Sequence, residues 1–552
     1  MDRHAEPRQQ CPLAGPWRGP RDGDDESPAS LVNLDGGAAG LCKQPTANVD
    51  NNQRKNASLM ISVVSSGAPG LWEVESGTRQ GPSARADTAQ LFRTKALGKG
   101  RETMRLCLVE DLAAAGLEPL TLTRPVHELW LGCSTLGCKI AKAFGVGPGP
   151  QRRGGVIRSH LVPVQRQRDP HLVVNDRDWL ARGPVIVANS RWVPPTGFKP
   201  PDFHGPSIGL CDGKPAFALV GPEDAISLDP HGIDSWFEKI AERYKGSEVG
   251  GEWMDHPWDL VARNGEHIER GLQEGGQNGV TKRQLATLAL VGPSNLLRMH
   301  ETARIDPYTV FDTTTGPIVV GPKVWVQPFT RVEGPCYIGP ETQLFRANIR
   351  GSVSIGPNCR IGGEVEATIV HGFSNKYHEG FLGHAYVGEW VNLGAITSNS
   401  DLRNDYGEVF VPLQGDPVAT GQAKVGCFIG DHTRTGMGSM LNTGTAIGVM
   451  CNVLPAGGLL PKHVPSFTAV LYGRVGKGFS LEQMFDTARI VMGRRGKAFT
   501  DADEQLYRGL YEQTRLERER AFQRSHDHRT EFASFASRFS SPASEGGKRA
   551  HH

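Results

Sequence analysis

Two histidines, a lysine and two glutamates lie close together in the stretch Ser374–Ala395, which reads SNKYHEGFLGHAYVGEWVNLGA. Histidine is the side chain whose unperturbed pKa lies nearest neutral pH, so His378 is a candidate general base for an amine or hydroxyl acceptor. Glu379 could orient His378 only through loop geometry, because adjacent residues of an extended chain point to opposite faces. Taken alone, a histidine in such a stretch is more often a surface residue.

Polar residues also follow short apolar runs nearer the N-terminus. The run MRLCLVED, which starts at Met104, has the character of a buried first strand of an α/β domain and ends in two acids. Ligands of parallel sheets bind at the carboxyl ends of the strands, so the acids are candidate Mg²⁺ ligands. The polar residues expected at this edge are Glu110, Asp111, Asn175, Asp176 and Asn189.

Composition gives no sign of a nucleic acid or a membrane as partner. The 552 residues carry a formal net charge of +2, which argues neither for a nucleic acid nor for a membrane surface. The densest basic runs, QRR at 151–153 and GRRG at 493–496, are interpreted as solvated faces. No apolar run reaches the roughly 18 residues of a membrane span, and no secretion signal is evident. Ten cysteines without paired spacing favour reduced thiols and a cytoplasmic location.

The chain divides into five regions. Residues 1–103 are rich in small, polar and charged residues and are predicted to be a disordered leader, with translation starting at Met1 or Met104. Residues 104–304 alternate strand and helix patterns, including an amphipathic helix at 233–244, and predict an α/β domain. Residues 305–465 form a repeat region, 466–525 a helical tail and 526–552 a disordered end. Capping boxes at Ser480 and Thr500 start the two tail helices.

Aliphatic residues recur every six positions in the repeat region. Such hexapeptides predict a parallel β-helix in which three hexapeptides close one triangular coil. Ser398–Lys424 breaks the period and is predicted to be a loop leaving one coil. The first run, with a one-residue slip before Ile349, is Val320, Val326, Val332, Ile338, Leu344, Ile349, Ile355 and Ile361, and the second is Ile429, Thr435, Leu441, Ile447, Val453 and Leu459.

An α/β domain followed by a hexapeptide β-helix resembles the family of bifunctional N-acetylglucosamine-1-phosphate uridyltransferase/glucosamine-1-phosphate acetyltransferases, and more closely a divergent family of sugar nucleotidyltransferases. The resemblance covers about Met104 to Leu510. It rests on LEPLTLTRPVHELWLG at 117–132, HPWDLVARNGEHI at 256–268 and the block at 362–407. It implies a left-handed β-helix, a cytoplasmic homotrimer with acyl sites between neighbouring β-helices, and sugar phosphates, nucleoside triphosphates and acetyl-CoA as substrates.

The acetyltransferase part of the resemblance implies roles for single residues. The family motif reads roughly SKxxHLxYIGDAxIGxxVNIGAGT, and 374–397 follows it with few gaps. His378 matches the general base that takes a proton from the sugar amine. Phe381 stands where the family has tyrosine, so a hydroxyl contact to the sugar or its phosphate is missing. The resemblance assigns Lys376, Phe381 and Asn392 to the substrate, and Gly394, Ala395 and Thr397 to coenzyme A.

The nucleotidyltransferase half departs from the family pattern. The Gly-rich triphosphate loop is replaced by VEDLAAAGLEPLTLTRP. Arg124 could still face a phosphate as a bidentate donor, or it could pair with Glu128 in a turn. Asp259 and Asn264 in WDLVARN are candidate sugar or metal contacts, and Mg²⁺ is expected if this site is active.

The leading hypothesis is a sugar-nucleotide enzyme: a nucleotidyltransferase acting on a sugar 1-phosphate, for products such as UDP-N-acetylglucosamine, joined to an acyltransferase-like β-helix that acetylates an amino sugar. A zinc-dependent hydratase of the β-helical carbonic anhydrase type is an alternative. Such a site would bind zinc through histidines of neighbouring chains. A non-catalytic sugar-nucleotide sensor or scaffold is a third possibility. The histidines available for zinc are His371, His378, His384 and His432.

Overall fold

The computed structural model describes residues 104–525, except 148, 150, 202–204 and 275–278. The disorder predicted for 1–103 and 526–552 therefore falls outside the described residues. The fold class is confirmed: an α/β domain is followed by a parallel β-helix and then by helices. No helix in the described part of the chain is long and apolar enough to cross a membrane.

A seven-stranded sheet forms the centre of the α/β domain. Its first strand, Leu106–Val109, pairs in parallel with a neighbour on each side and is buried along its whole length, as a continuous apolar run predicts. Lys214–Val220 is antiparallel to both of its neighbours, so the sheet is mainly parallel. From edge to edge the strands are Gly246–Glu248, Ser207–Cys211, Lys214–Val220, Val185–Asn189, Leu106–Val109, Arg153–Val156 and Val173–Val174.

Helices cover this sheet and connect it to the β-helix. The predicted amphipathic helix spans Ile233–Arg243 and buries Ile233, Trp236, Phe237 and Ile240, whereas Ala241 is exposed. The other α-helices before the β-helix are Leu136–Ala143, Val162–Arg168, Arg177–Leu180, Pro222–Ala225, Pro257–Glu274 and Lys282–Leu285. The 3-10 helices are Leu112–Leu117, Leu120–Leu122, Val126–Glu128, Ser159–Leu161 and Ser294–Leu296. One short hairpin pairs Trp130–Leu131 with Ser134–Thr135, and a separate antiparallel pair joins Trp192–Val193 to Glu252–Trp253.

The β-helix has three faces of stacked parallel strands. Its first rung is Leu288–Val291, ahead of the start expected at residue 305. Face 1 comprises Leu297–Met299, Ile318–Val320, Cys336–Ile338, Val353–Ile355, Ile369–Gly372, Tyr386–Glu389, Cys427–Ile429, Thr445–Ile447 and His463–Val464. Face 2 comprises Arg304–Ile305, Trp325–Val326, the first halves of Gln343–Ile349 and Arg360–Glu366, then Asn375–Lys376, Arg434–Thr435, Asn452–Val453 and Thr468–Leu471, the last closed by antiparallel Arg474–Lys477. Face 3 comprises Leu288–Val291, Thr309–Asp312, Arg331–Glu333, the second halves of the two long strands, Phe381–Gly383, Ser398–Asn399 and Met440–Leu441.

The hexapeptide residues fill the interior of the coils. The predicted aliphatic positions are buried, with one exception at the end of the second run: Leu459 is exposed and Leu460 takes the inner position. The one-residue slip before Ile349 coincides with a register shift between Phe345 and Ala347, where Arg346 has a φ of 46°. The corner between faces 2 and 3 is therefore one residue shorter here than in a regular hexapeptide, since Leu344 and Ile349 are five positions apart.

The predicted loop at 398–424 is partly ordered strand. Its first two residues form the face 3 rung Ser398–Asn399, and an antiparallel hairpin pairs Phe410–Leu413 with Asp416–Ala419. Val409 and Val411 of this excursion are fully buried in a core that also contains α/β-domain residues. The excursion thus packs between the two domains instead of extending freely.

The tail helices begin with the predicted capping boxes. Leu481–Gly493 is capped by Ser480 and Gln483, and Asp501–Gln513 by Thr500 and Asp503. Residues 515–525 are also helical. The inner faces of these helices share a core with the α/β domain and the β-helix.

Candidate functional site

His378 lies at the corner between face 2 and face 3. The corner residues 377–379 are exposed, and they separate the strand Asn375–Lys376 from Phe381–Gly383. The ring of His378 contacts the Tyr377 ring edge at a centroid distance of 4.9 Å. Among the described residues, none forms a hydrogen bond or ion pair with this ring, and this includes the Glu379 carboxylate. A ring nitrogen of His378 is therefore free to accept a proton.

Lys376 holds this corner from inside the coil. Its Nζ donates hydrogen bonds to the carbonyl oxygens of Gly362 (2.8 Å) and His378 (3.0 Å). Burial lowers the pKa of Lys376 to about 8. The structure thus places Lys376 as a support of the His378 corner, whereas the resemblance assigned it to the substrate.

Asn392 and Phe381 lie on different faces beside the corner. Asn392 is exposed on face 2, where its Oδ1 accepts a hydrogen bond from Asn375 Nδ2 at 3.3 Å. Phe381 is half-buried on face 3, and its amide donates to Ser398 Oγ at 3.1 Å. Asn392 and Phe381 therefore flank His378 from opposite sides.

The residues assigned to coenzyme A form the corner on the next rung. The Gly394 amide and the Thr397 hydroxyl both bond to Thr435 Oγ1, at 2.9 and 2.7 Å, and Ala395 accepts from Gly438 at 2.8 Å. Between them, Ile396 is 65% exposed with a φ of 64°. It is the one β-branched residue with positive φ in the described part of the chain. Sequence reasoning missed this residue, since backbone conformation is not visible in the composition.

A histidine–aspartate pair lies at the other edge of face 3. His384 Nδ1 is 2.8 Å from Asp401 Oδ2, and the hydrogen bond from His384 lowers the pKa of Asp401. The two residues are 17 apart, close to one coil, so the repeat length was the signal that could have found them. This edge is separated from the His378 corner by the strand Phe381–Gly383.

The two acids predicted to bind Mg²⁺ at the sheet edge are paired with arginines. Glu110 accepts from the Val126 amide at 2.8 Å and from Arg158 Nη2 at 3.1 Å. Asp111 forms a bidentate pair with Arg191 and accepts from Asn189 at 2.7 Å. Each of the two carboxylates is therefore already paired with an arginine side chain.

The segment that replaces the Gly-rich triphosphate loop after the first strand is partly helical. Residues 112–117 form a 3-10 helix, and the Leu112 amide donates to Asp234 at 3.0 Å. In the described part of the chain, one group of three or more side chains could hold a metal: Cys211, Asp212 and Glu248. Neither Glu110 nor Asp111 belongs to it.

Arg124 is buried between the domains. Its guanidinium donates to Asp431 at 3.2 and 2.6 Å and to Glu389 at 3.1 Å. Burial disfavours the charged guanidinium and so lowers the pKa of Arg124. The attraction of the two carboxylates outweighs this effect, so the pKa is raised overall. Glu128 instead lies 3.9 Å from Arg168. Arg124 therefore follows neither expectation: it joins the α/β domain to the β-helix.

Asp259 and Asn264 both belong to the helix Pro257–Glu274, and both side chains form hydrogen bonds that hold it in place. Asp259 Oδ2 accepts from the amides of Asp255 (3.0 Å) and His256 (2.8 Å) at the start of the helix. Asn264 is fully buried; its Oδ1 accepts from the Gly132 amide and the Ser354 hydroxyl, and its Nδ2 donates to the Ser352 carbonyl. The structure thus places Asp259 as a helix cap and Asn264 as a bridge between the domains.

A small cavity lies where the α/β domain, the 410–419 hairpin, the last two strands of face 1 and the tail meet. Its polar lining residues are Glu118, Gln414, His463, Ser466 and Glu517. Gln414 donates to Glu118 at 3.2 Å, and His463 pairs with Glu517 at 2.7 Å. Burial raises the pKa of Glu118 to about 7.

Comparison with known proteins supports the resemblance. Residues 106–274 match the sugar nucleotidyl transferase family model. A bifunctional sugar-1-phosphate nucleotidylyltransferase/acetyltransferase from Sulfurisphaera tokodaii is 33% identical over 119 residues, or 22% of this chain and 27% of the relative. The bifunctional protein GlmU of Acaryochloris marina is 31% identical over 189 residues, or 33% of this chain and 36% of the relative. The resemblance stated from the sequence is confirmed at modest identity.

These matches cover limited shares of the proteins concerned. The chain spans 27% and 36% of the length of these two relatives. A solved chain from Bacillus cereus aligns with 41% of this chain and 98% of its own length at 16% identity, with a TM-score of 0.18, which is too low to bear on the fold.

Proposed function

We propose that this chain is a sugar-nucleotide biosynthesis enzyme whose β-helix transfers the acetyl group of acetyl-CoA to the amine of an amino sugar phosphate. The observation that carries the proposal is the His378 corner: an exposed imidazole with no partner in the described chain, held from inside by Lys376. Asn392 lies beside it, and 394–397 form the corner of the following rung.

In this mechanism His378 accepts the proton of the attacking amine. The new C–N bond forms at the thioester carbonyl, the C–S bond breaks, and the coenzyme A thiolate takes the proton from the imidazolium. Phe381 supplies an apolar surface beside the corner. An acceptor that presents its apolar ring face to Phe381 is therefore favoured over one that needs a hydroxyl contact there.

Nucleotidyl transfer to a sugar 1-phosphate, yielding a sugar nucleotide such as UDP-N-acetylglucosamine, is the second candidate activity. The match of residues 106–274 to the sugar nucleotidyl transferase model supports it. Mg²⁺ would be required to neutralise the triphosphate. Because Glu110 and Asp111 are each engaged by an arginine, Mg²⁺ and the nucleoside triphosphate would have to displace Arg158 and Arg191 or bind elsewhere.

A cytoplasmic homotrimer is the assembly we propose. Exposed apolar side chains recur at the corner between faces 2 and 3, including Tyr308, Phe329 and Ile396. Packing this edge against a copy of the chain would bury them and enclose the His378 corner. The free thiols of the buried residues Cys336, Cys359 and Cys427 support the cytoplasm.

The zinc alternative is disfavoured by the surroundings of its histidines. His371 is buried and bonds to Tyr386 at 3.0 Å, and His432 is buried beside Trp390 and Tyr507. Of the four histidines, His378 alone is then exposed, because His384 is half-buried and paired with Asp401 at the opposite edge of face 3. A non-catalytic sensor would bind ligands without turnover, which the assay below detects.

Two parallel assays test the proposal. Coenzyme A release is followed with acetyl-CoA and amino sugars or their 1-phosphates, and pyrophosphate release is followed with UTP or dTTP and sugar 1-phosphates. His378→Ala should lower kcat for coenzyme A release by about 10²–10⁴-fold, the usual contribution of a general base. His384→Ala, which alters a histidine on the same face, is the matched control and should stay within about twofold. Unchanged turnover in His378→Ala would refute the base assignment.

A further inference from the structure

One arginine of the basic run GRRG, at 493–496, contacts the β-helix. The helix Leu481–Gly493 ends in a turn where Gly496 has a φ of 65° and the Lys497 amide donates to the Met492 carbonyl at 3.0 Å. This left-handed cap fixes the direction of the preceding residue. Arg495 Nη2 donates to Asn375 Oδ1 at 3.0 Å on face 2. The run is therefore only partly the solvated face expected of it.

A second arginine lies on the neighbouring rung. Arg360 pairs in register with Asn375, and its Nη1 donates to the backbone carbonyls of Glu341 (3.2 Å) and Cys359 (2.9 Å). The Glu341 carboxylate is engaged by Asn358 at 2.7 Å and Lys323 at 3.8 Å. Within the described residues, no carboxylate forms an ion pair with either Arg360 or Arg495.

Two half-buried guanidiniums thus lie near each other, and neither forms an ion pair with a carboxylate of the described chain. Burial and, next, their mutual repulsion lower the pKa of Arg360; burial and the neighbouring Arg494 lower that of Arg495. The Nε of Arg495 is buried and has no hydrogen-bond partner among the described atoms. An anion that accepts several hydrogen bonds would satisfy both the charge and this donor, and phosphate matches the guanidinium fork.

We propose that Arg360 and Arg495 form a phosphate-binding subsite beside Asn375 and Asn392. Asn375 links the subsite to Asn392 through its side-chain amide, so a phosphate held here lies on the Asn392 side of the His378 corner. The inference rests on the proposed acyl transfer for the identity of the ligand, but phosphate binding itself does not require turnover. The phosphate monoester belongs either to the sugar acceptor or to coenzyme A.

Direct binding by calorimetry tests the subsite. Full-length protein is titrated with glucosamine 1-phosphate, glucosamine, acetyl-CoA and acetyl-dephospho-CoA, using wild type, Arg360→Gln and Arg495→Gln. Each variant should weaken binding of one phosphorylated ligand by about tenfold, the effect of one charge-assisted hydrogen bond, and leave its unphosphorylated counterpart unchanged. Loss for glucosamine 1-phosphate assigns the subsite to the acceptor; loss for acetyl-CoA alone assigns it to coenzyme A.

Matched variants separate charge recognition from folding. Arg494→Gln removes the adjacent exposed arginine and should bind within about twofold of wild type, whereas Arg495→Lys should recover part of the lost affinity. Equal affinity of wild type and both Gln variants, or equal weakening of phosphorylated and unphosphorylated ligands, overturns the proposal. A weakened phosphate affinity in Arg495→Gln together with no coenzyme A release in wild type would retain the subsite and reject the acyl transfer.

Discussion

At the scale of single residues, Ile396 is the least expected feature of the candidate site. A β-branched side chain in the left-handed region is strained by contact between its Cβ and the backbone. Ile396 nevertheless occupies that conformation while 65% exposed, directly between residues assigned to coenzyme A. Burial in the described chain does not compensate for this strain, so we infer that the side chain is retained for ligand contact or assembly.

Replacing Ile396 with glycine should therefore stabilise the fold and weaken the site. We expect Ile396→Gly to raise the free energy of unfolding by about 0.5–1 kcal/mol in urea titrations, because relief of strain exceeds the entropy cost of glycine. KM for acetyl-CoA should rise by about tenfold through lost apolar contact. Ile490, equally exposed at 64% but helical, is the control: Ile490→Gly should destabilise by about 1 kcal/mol. Destabilisation by both variants would contradict the strain argument.

At the scale of elements, the helix Pro257–Glu274 orients the α/β domain on the β-helix. Asn264 gives this helix hydrogen bonds to both domains, to Gly132 on one side and to Ser352 and Ser354 on the other. Because the hydrogen bonds to Gly132 and Ser354 are buried and the one to Ser352 is partly buried, truncating Asn264 leaves buried polar groups unpaired. Asp259 acts only at the start of the same helix.

This difference predicts that two variants of the same helix lose unequal amounts of unfolding free energy. Asn264→Ala should lower the free energy of unfolding by about 2–3 kcal/mol, and Asp259→Ala by about 1 kcal/mol, the usual effect of losing a helix cap. Neither should change KM for a sugar phosphate by more than about twofold. A large KM increase with unchanged stability would restore the substrate-binding role that the sequence suggested.

At the scale of the whole molecule, a buried ion cluster joins the two domains. Arg124 from the α/β domain is fully buried against Asp431 and Glu389 of face 1 and its following corner. Thr123 adds a hydrogen bond to Asp431 at 2.7 Å. Removing one member leaves an uncompensated charge in a buried site, so the stability of each domain depends on its contact with the other.

The expected result is a large loss of stability on breaking the cluster, and less than additive losses when two of its members are changed together. Arg124→Met should destabilise the protein by about 3–5 kcal/mol, and Arg124→Met combined with Asp431→Asn should cost less than the sum of the two single changes. Arg331 also pairs with two carboxylates, Asp312 and Glu333, but is exposed, so Arg331→Met should cost less than about 1 kcal/mol. Thermal and urea unfolding measure all four variants; equal costs for Arg124 and Arg331 would contradict the role of burial.

Local patterns were sufficient for much of the architecture. The hexapeptide period placed the aliphatic residues inside the coils because each coil repeats one local geometry, and the capping boxes at Ser480 and Thr500 act within four residues. The period failed at Leu459, where the preceding loop shifts the inward position by one residue to Leu460. The exposed position of His378 also follows from the repeat, since it falls at a corner.

By itself the sequence determined the order of domains, the β-helix and the run that carries His378 and Asn392, because all of these depend on short-range spacing. Only the tertiary structure decided what the charged and amide side chains contact. Arg124 meets Asp431 across 307 residues, Asn264 meets Ser354 across 90, and Arg495 meets Asn375 across 120. These partners depend on how the domains and tail pack against the β-helix, and no local periodicity encodes that packing.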